Sequence, residues 1–384
     1  MLVRNAFFIV EVLRALAEEL GELGRIGSER IPSRIIAGGM QAVLSRRLGR
    51  VPAAARPLLC AAAVLGRELD LLVLRALPAE LSERLEGDLA ECAAVAVLEV
   101  HEDRWRFAHD KLREALLANL SAAELVRWHL HIGSAIEQAH AASIPTYAAA
   151  LAHHFDQAGE PIRAFAYRVQ AGEQSLNSGA VQEAIVQLER ALPLLDAAGA
   201  ALMMRVHAMG LLCRAYLGAG RPSATVDLLD RMLASVGFAA LQAPSELFAE
   251  LARLAAAHLS FRMQLRKKWE SESAAVLASL GEISDTIEEV GPAIALARTP
   301  EQAVRYFLIW ISIADRLGEP MRAAPPYNAL AFIFTLTPFR RLSKRYFQLS
   351  REFAAQAPSL PRGVQVRLRG SEAWAHGNHG EWEE

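Results

Sequence analysis

The tripeptide Gly-x-Pro occurs three times after residue 145 of this chain, each time between two stretches with helical periodicity. The copies begin at Gly159, Gly220 and Gly318. Glycine takes the left-handed backbone conformation that ends a helix, and proline suits the first turn of the next helix, where its missing N–H is no loss. The pattern therefore predicts consecutive helices joined by tight turns, which is the construction of an α-solenoid.

Other short motifs predict where further helices begin and end. Ser121-Ala122-Ala123-Glu124 has the sequence of a capping box and opens a helix that runs to about His140, and Thr299-Pro300-Glu301-Gln302 has the same features. Asn177-Ser178-Gly179 marks a break, and Pro193 bends or ends its helix. These signals predict a chain that is helical throughout after Pro145.

The region before residue 120 has a different pattern of predicted secondary structure. Short helical patterns are followed by valine-rich residues 95–100, a polar triplet at 101–103 and residues 104–107, which together predict a β-hairpin, and a helix then starts at His109. This layout favours a small winged helix-turn-helix, although strands this short cannot be assigned by periodicity alone. The predicted helices before the hairpin cover residues 40–48, 53–65, 70–77 and 80–94.

The charge balance argues against a globally basic nucleic-acid-binding protein. The formal net charge is −2, and some of the basic residues form three local clusters. Each cluster could contact phosphate, but a solvated helix face or salt bridges between helices are the favoured interpretation. The clusters are Arg46, Arg47 and Arg50; Arg262, Arg266, Lys267 and Lys268; and Arg340, Arg341, Lys344 and Arg345.

Cysteine usage and hydropathy predict a cytoplasmic protein without a membrane partner. Cys60, Cys92 and Cys213 are far apart and form no CxxC motif, which suits a reducing compartment. The most apolar late stretch, residues 329–339, has about eleven residues, whereas a membrane span needs roughly 20. Charged residues interrupt the apolar run at the N-terminus, so we expect no secretory signal.

Common motifs of catalytic and metal chemistry are absent from the sequence. The sequence has no GxxxxGK[ST], GxGxxG, HExxH or GxSxG motif, so we expect this chain to carry no catalytic residue and no cofactor of its own. His129 and His131 lie two apart on one helix, and His153 and His154 are adjacent. Neither pair can point two imidazoles at one ion from a single helix, so no metal site is expected.

Five segments resemble bacterial STAND-type signalling ATPases. These are AAA-like regulatory ATPases, often fused to a protein kinase, an adenylate cyclase or a LuxR-type output domain. The resemblance covers essentially the whole chain and is strongest over residues 1–200. The segments are FFIVEVLRAL (residues 7–16), MQAVLSRRL (40–48), LLCAAAVLGREL (58–69), RWRFAHDKLREA (104–115) and residues 151–192.

The resemblance implies a domain order. In that family a nucleotide-binding domain precedes a lid helix, a winged helix and a repeat sensor, so this chain would begin at the lid and both of its ends would be cut. ATP or ADP and Mg²⁺ would then belong to the parent protein. The implied domains are a lid-helix remnant at 1–20, a linker at 21–38, a winged-helix domain with its following helix at 39–140, and a tetratricopeptide-like α-solenoid at 145–384.

Two groups of residues carry roles that only the resemblance implies. Asn5, Phe7 and Phe8 match the lid motif, which the family commonly writes Gly-Asn-Pro-Phe-Phe and which here lacks the Gly and the Pro. His109 and Asp110 resemble a His-Asp motif whose histidine approaches the β-phosphate of ADP in related switch ATPases. The alternative is that this pair only begins a helix, with Asp110 favourable to the helix dipole. For this chain alone the alternative is favoured.

Three functions are expected in order of preference. The first is a regulatory or sensor segment, in which a protein partner or ligand on the solenoid is coupled to covalently linked ATPase and output domains. The second is a free-standing helical-repeat scaffold for protein–protein interaction. The third is a transcriptional regulator that binds DNA through the winged helix with Arg46, Arg47 and Arg50.

Overall fold

A computed structural model describes residues 39–197, 201–238, 241, 245–263, 273–357 and 360–378. Within these ranges the protein is mainly α-helical, and its sheet structure is one two-stranded antiparallel hairpin. The prediction of an all-α fold with a short β-hairpin is therefore confirmed. The predicted lid helix at 1–20 and linker at 21–38 lie outside the described residues.

The N-terminal part consists of short helices around the hairpin, followed by longer helices. The hairpin strands are β1, Leu98–His101, and β2, Arg104–Phe107. A 3₁₀ turn at Ala141–Ser143 precedes the eighth helix. The helices are α1 Gly39–Gly49, α2 Arg56–Leu65, α3 Leu71–Arg75, α4 Ala79–Ser82, α5 Leu85–Ala94, α6 Asp110–Ala118, α7 Ala122–Ala139, α8 Ile144–Gln157 and α9 Pro161–Asn177.

The C-terminal part consists of helices alone within the described ranges. Most are between 14 and 24 residues long. They are α10 Val181–Ala191, α11 Leu194–Ala197, α12 Leu202–Gly218, α13 Pro222–Ser235, α14 Glu246–Arg262, α15 Ala274–Ala297, α16 Pro300–Leu317, α17 Pro320–Thr335, α18 Arg340–Gln356 and α19 Arg362–Asn378.

The chain divides into two compact units between Tyr167 and Arg168, inside α9. The first unit contains α1 to α8 and the hairpin, and the second contains α10 to α19. It stays a prediction that a winged-helix domain ends at residue 140 and a solenoid begins at residue 145. It also stays a prediction that the later helices are tetratricopeptide-like.

The Gly-x-Pro motifs form the junctions that their chemistry predicts. Gly159, Gly220 and Gly318 have φ values of 72°, 69° and 65°, and the proline two residues later is the first residue of α9, α13 and α17. A side chain at these glycines would be strained, because L-residues rarely adopt positive φ. Both capping boxes are also present, at Ser121 with Glu124 and at Thr299 with Gln302.

The hairpin is shorter than the sequence pattern predicted. Glu102 and Asp103 both have positive φ and form a two-residue turn, so His101 belongs to β1 and not to the turn. β2 also pairs on its other side, since Leu69 N–H donates to Trp105 O at 2.8 Å and Phe107 N–H donates to Arg67 O at 3.1 Å. This second pairing buries Phe107 completely.

Two predicted helix bounds were wrong. Residues 80–94 form two helices, α4 and α5, because the backbone leaves helical geometry at Arg84. The break lets α5 bury Leu85, Leu89 and Cys92, whereas α4 buries no residue. The helix predicted over 53–65 begins at Arg56, with Pro57 in its first turn.

Candidate functional site

Four helices of the second unit contact one another in succession and form one surface. α12 packs against α15, α15 against α17, and α17 against α19. Three further helices pack against this series. α13 packs against α15, and both α16 and α18 pack against α17. Three cavities that share lining residues lie among α12 and α15 to α19, and we refer to them together as the groove.

The middle of the groove is apolar. This cavity has a volume of about 630 Å³, and it lies between α15, α16, α17 and α19. Trp310 on its wall is fixed because the indole N–H donates to Ser284 Oγ at 2.9 Å. The apolar lining residues are Ile287, Gly291, Pro292, Phe307, Trp310, Pro325, Ala329, Phe332, Ile333, Val364, Leu368 and Gly370.

One end of the groove is lined by ion pairs, in a cavity of about 390 Å³. Arg322 donates to both carboxylate oxygens of Asp285, at 3.1 and 2.9 Å, and also pairs with Glu319 at 2.7 Å. A two-bond pairing of this kind holds the guanidinium in one orientation. Arg367 pairs with Glu288 across α15 and α19.

The carboxylates of α15 outnumber their arginine partners. Arg214 lies 3.5 Å from Glu289, and His207 Nδ1 lies 3.2 Å from Glu282. The hydrogen bond to His207 lowers the pKa of Glu282, and the same bond raises the pKa of His207. Burial raises the pKa of Glu289 despite Arg214. This end of the groove is therefore the acidic one.

Another part of the groove is a cavity of about 520 Å³ between α17, α18 and α19, lined partly by alanines. Asn328 joins it to the apolar middle, where its Nδ2 donates to Leu368 O at 3.2 Å and its Oδ1 accepts from Ser371 Oγ. Arg351 pairs with Glu372 at 2.5 Å, while Arg369 is exposed. The side chains of Asn328 and Arg351 are therefore held in place in this cavity by contacts within the protein.

Sequence reasoning did not find the groove. One signal was available, since Glu282, Asp285 and either Glu288 or Glu289 follow the three- and four-residue spacing of one helix face. The apolar part had no comparable signal. Trp310 and Phe332 are far apart in sequence and only the packing of α16 and α17 brings them together.

A buried polar network lies elsewhere in the second unit. His258 on α14 contacts Asp315 Oδ2 through Nδ1 at 2.7 Å and Tyr346 Oη through Nε2 at 3.0 Å. Tyr327 Oη donates to Asp315 Oδ1 at 2.8 Å. Burial raises the pKa of both tyrosines. The four side chains of this network come from α14, α16, α17 and α18, so we assign it to the joining of these helices.

His109 and Asp110 form the N-terminus of α6. The cap is His109, whose Nδ1 accepts from Lys111 N–H at 3.1 Å, and not Asp110. Asp110 occupies the first helical position, where a carboxylate is favourable, and lies 3.3 Å from Arg67. The geometry is that of a helix start. A nucleotide-sensing role for the pair stays a prediction about the parent protein.

The predicted phosphate-contact arginines differ in accessibility. Arg46 and Arg50 are exposed, whereas Arg47 is only 9 % exposed. Of the second basic cluster, Arg262 ends α14, and Arg266, Lys267 and Lys268 lie outside the described residues. The predicted lid residues Asn5, Phe7 and Phe8 also lie outside them.

Three histidines from two helices lie close together, which the spacing of histidines within one helix does not predict. His129 on α7 meets His153 and His154 on α8, with ring centroids 5.5 and 5.1 Å from that of His129. Among the described residues, no three His, Cys, Asp or Glu side chains have the arrangement of a metal site. The sequence prediction concerned pairs on one helix, and this cluster spans two.

Comparisons with known proteins assign no family. No protein-family model matches the chain, and no curated protein matches it either. The STAND-type resemblance therefore stays a prediction. Separately, none of the helices in the described ranges is long and apolar enough to cross a membrane.

Proposed function

We propose that this chain is a regulatory segment of a STAND-type signalling ATPase and that the groove of its second unit binds a segment of a partner protein. The observation that carries the proposal is the groove itself, in which an apolar cavity adjoins an acidic, ion-paired end. Helical-repeat proteins commonly bind partners on extended surfaces of this kind.

The form of the groove favours a protein segment over a small molecule. Each cavity alone has the volume of a small-ligand site, but the three share lining residues and together involve six helices. An amphipathic helix or extended peptide supplies the matching shape, with apolar side chains in the middle cavity. The carboxylates of α15 would select a cationic side chain at the acidic end.

Regulation would come from a difference in affinity between two states of the parent protein. A partner shifts a switch only if it binds one state more tightly than the other. In this proposal ATP or ADP and Mg²⁺ bind the parent's nucleotide-binding domain, and the present chain contributes no catalytic residue. The cytoplasm is the proposed compartment, supported by three free cysteines, two of which are buried.

The first test concerns the parent protein. An in-frame GxxxxGK[ST] motif encoded upstream of Met1 would support the ATPase assignment, because this motif cradles the phosphates. An independent start of translation at Met1, with its own promoter, would contradict the assignment and leave the scaffold alternative. The groove supports the scaffold alternative equally well.

The second test concerns the groove. A photo-crosslinking residue in place of Phe332 should capture one defined partner in the native cell, and the same residue in place of Leu296, which is 77 % exposed and outside the groove, should not. The purified partner should then change the ATP hydrolysis rate of the parent. Equal capture at both positions, or a partner without effect on hydrolysis, would contradict the proposal.

A matched pair of substitutions checks the acidic end. Arg367→Glu places like charges beside Glu288 and should weaken partner binding. Adding Glu288→Arg restores an opposite pair across the same two helices and should restore binding if the pair acts only by shaping the groove. The DNA-binding alternative has less support, because Arg47 is buried. A salt-dependent gel shift that Arg46→Ala abolishes would favour it.

A further inference from the structure

The turn between α17 and α18 exposes an apolar surface. Leu336 is 63 % exposed, Phe339 is 59 % exposed and Leu342 is 44 % exposed. All three lie in the turn or in the first turn of α18, so they are close neighbours along the chain. We name residues 336–345 the tip. Large apolar side chains that are exposed close to one another, unlike single scattered ones, are typical of interaction surfaces.

The tip is also strongly cationic. It contains Arg340, Arg341, Lys344 and Arg345, and no Asp or Glu occurs anywhere between residues 320 and 351. Arg345 lies 3.8 Å from Glu352, so part of its charge is compensated. Arg340 and Arg341 are exposed and have no acidic partner among the described residues. This local charge contrasts with the net charge of −2 for the whole chain.

The N-terminus of α18 adds to the positive potential. Its N-cap, Phe339, has no side chain that can cap the helix amides, and its first turn holds no acidic residue. The helix macrodipole places a partial positive charge at this end. Basic residues in the first turn are therefore unfavourable for the isolated protein, and an anionic surface would relieve that cost.

The tip is held in place by the packing behind it. Thr335 Oγ1 and Ser343 Oγ lie 2.9 Å apart, and Ser343 Oγ donates to Ala331 O at 3.0 Å. Phe347 is buried in a cluster with Ala331 and Ala375. The buried side of α18 thus packs against α17. The apolar residues of the tip lie outside this helix–helix interface.

We propose that the tip docks on the surface of an anionic phospholipid bilayer. Leu336, Phe339 and Leu342 enter the boundary between headgroups and acyl chains, and the arginines contact lipid phosphates. Basic residues beside exposed Leu and Phe are the composition of interfacial membrane anchors. A nucleic acid would satisfy the arginines and could stack on Phe339, but it offers nothing to the two leucines. The binding is peripheral, and it goes beyond both the proposed function and the sequence prediction of no membrane partner.

The test uses the full chain and vesicles of two compositions. One is phosphatidylcholine alone and the other is an equal mixture of phosphatidylserine and phosphatidylcholine. We expect co-flotation with the mixed vesicles only, and weaker binding as salt increases, because the attraction to the anionic surface is screened. A soluble short-chain phosphatidylserine below its micelle concentration should not compete, since the surface and not one headgroup is the ligand.

Two sets of variants separate charge from apolar insertion. Arg340→Glu with Arg341→Glu should reduce partitioning about tenfold or more, because each cation near such a surface contributes appreciably to binding. Its control is Arg362→Glu, an exposed arginine at the first residue of α19. Leu336→Gln with Phe339→Gln should also reduce partitioning, and its control is Val366→Gln, which removes an exposed apolar side chain elsewhere.

Three results would overturn the proposal. One is equal binding to both vesicle compositions. Another is loss of binding in the control variants to the same degree. The third is a gel shift with duplex DNA at the same salt concentration that needs Arg340 and Arg341 but not Leu336 and Phe339, since that result would assign the tip to nucleic acid. Unchanged circular dichroism would show that each variant is folded.

Discussion

The Nδ1 atoms of His129 and His154 lie 3.0 Å apart, between α7 and α8 of the first unit. Two imidazoles at this distance share one hydrogen bond only if at least one nitrogen lacks its proton. His154 is buried and His129 is half-buried. Burial, with the neighbouring histidines, lowers the pKa of His129 to about 4 and that of His154 to about 3.

The first unit should therefore lose stability in mild acid. The unfolded chain protonates these histidines below about pH 6.5, whereas the folded chain stays neutral there, so stability is complete above that pH and falls as the pH drops toward 4. For His154 the loss is about 2 kcal/mol by pH 5. Urea unfolding at several pH values, followed by circular dichroism, measures it.

A matched pair of variants assigns this pH dependence. His154→Leu should flatten the fall in unfolding free energy between pH 6.5 and 5, and His101→Gln, which alters an exposed histidine on β1, should leave it unchanged. An equal slope in the His154 variant and the wild type would show that other groups carry the acid sensitivity.

Substitution of Gly172 should destabilise the second unit. A Cβ at this position of α9 would lie 2.5 Å from Cγ of Leu188 on α10, and Leu188 is completely buried. We expect Gly172→Ala to cost about 1–3 kcal/mol because the buried leucine must move. Gly370→Ala is the control, since nothing lies within 4 Å of a Cβ there and alanine is the better helix former. Thermal unfolding compares the two, and an equal melting temperature in both would be evidence against the packing of α9 on α10.

Removal of Asp315 should be costly, because two buried donors depend on it. Asp315→Ala leaves Nδ1–H of His258 and the hydroxyl of Tyr327 without their acceptor. We expect a loss of about 3 kcal/mol, against about 1 kcal/mol for Tyr346→Phe, which removes one hydrogen bond. Asp285→Ala, at a half-exposed carboxylate, should cost less than about 1 kcal/mol. Equal losses for the Asp315 and Asp285 variants in urea unfolding would show that the network does not join the four helices.

The capping box at the start of α16 should make a measurable contribution to the free energy of unfolding. Thr299 Oγ1 accepts from Gln302 N–H, and Gln302 Oε1 accepts from Thr299 N–H at 3.1 Å. Thr299→Ala should cost about 1 kcal/mol of unfolding free energy, whereas Thr299→Ser retains the hydroxyl and should cost much less. The two variants become indistinguishable if the helix start is stabilised by tertiary contacts alone.

Local structure was predictable where a residue type strongly favours one conformation or one hydrogen-bonding role. Gly318 ends a helix because positive φ suits glycine, and Ser121 with Glu124 caps α7 because their side chains reach backbone amides three residues away. The break at Arg84 was missed, since nothing in residues 80–94 signals it and the burial of Leu85 and Leu89 depends on neighbouring elements. Short helices are the hardest case, because tertiary packing outweighs their intrinsic propensity.

The helical class, the turns and the helix starts follow from the amino-acid sequence alone, because these depend on interactions within a few residues. Three other features depend on the packing of the whole chain: Trp310 and Phe332 line one cavity, His129 contacts His154, and Leu336, Phe339 and Leu342 are exposed. The reason is physical. Helical periodicity shows which side of a helix is apolar, but the contact between two distant helices depends on how all the others pack, and the candidate sites of this protein lie at such contacts or are left exposed by them.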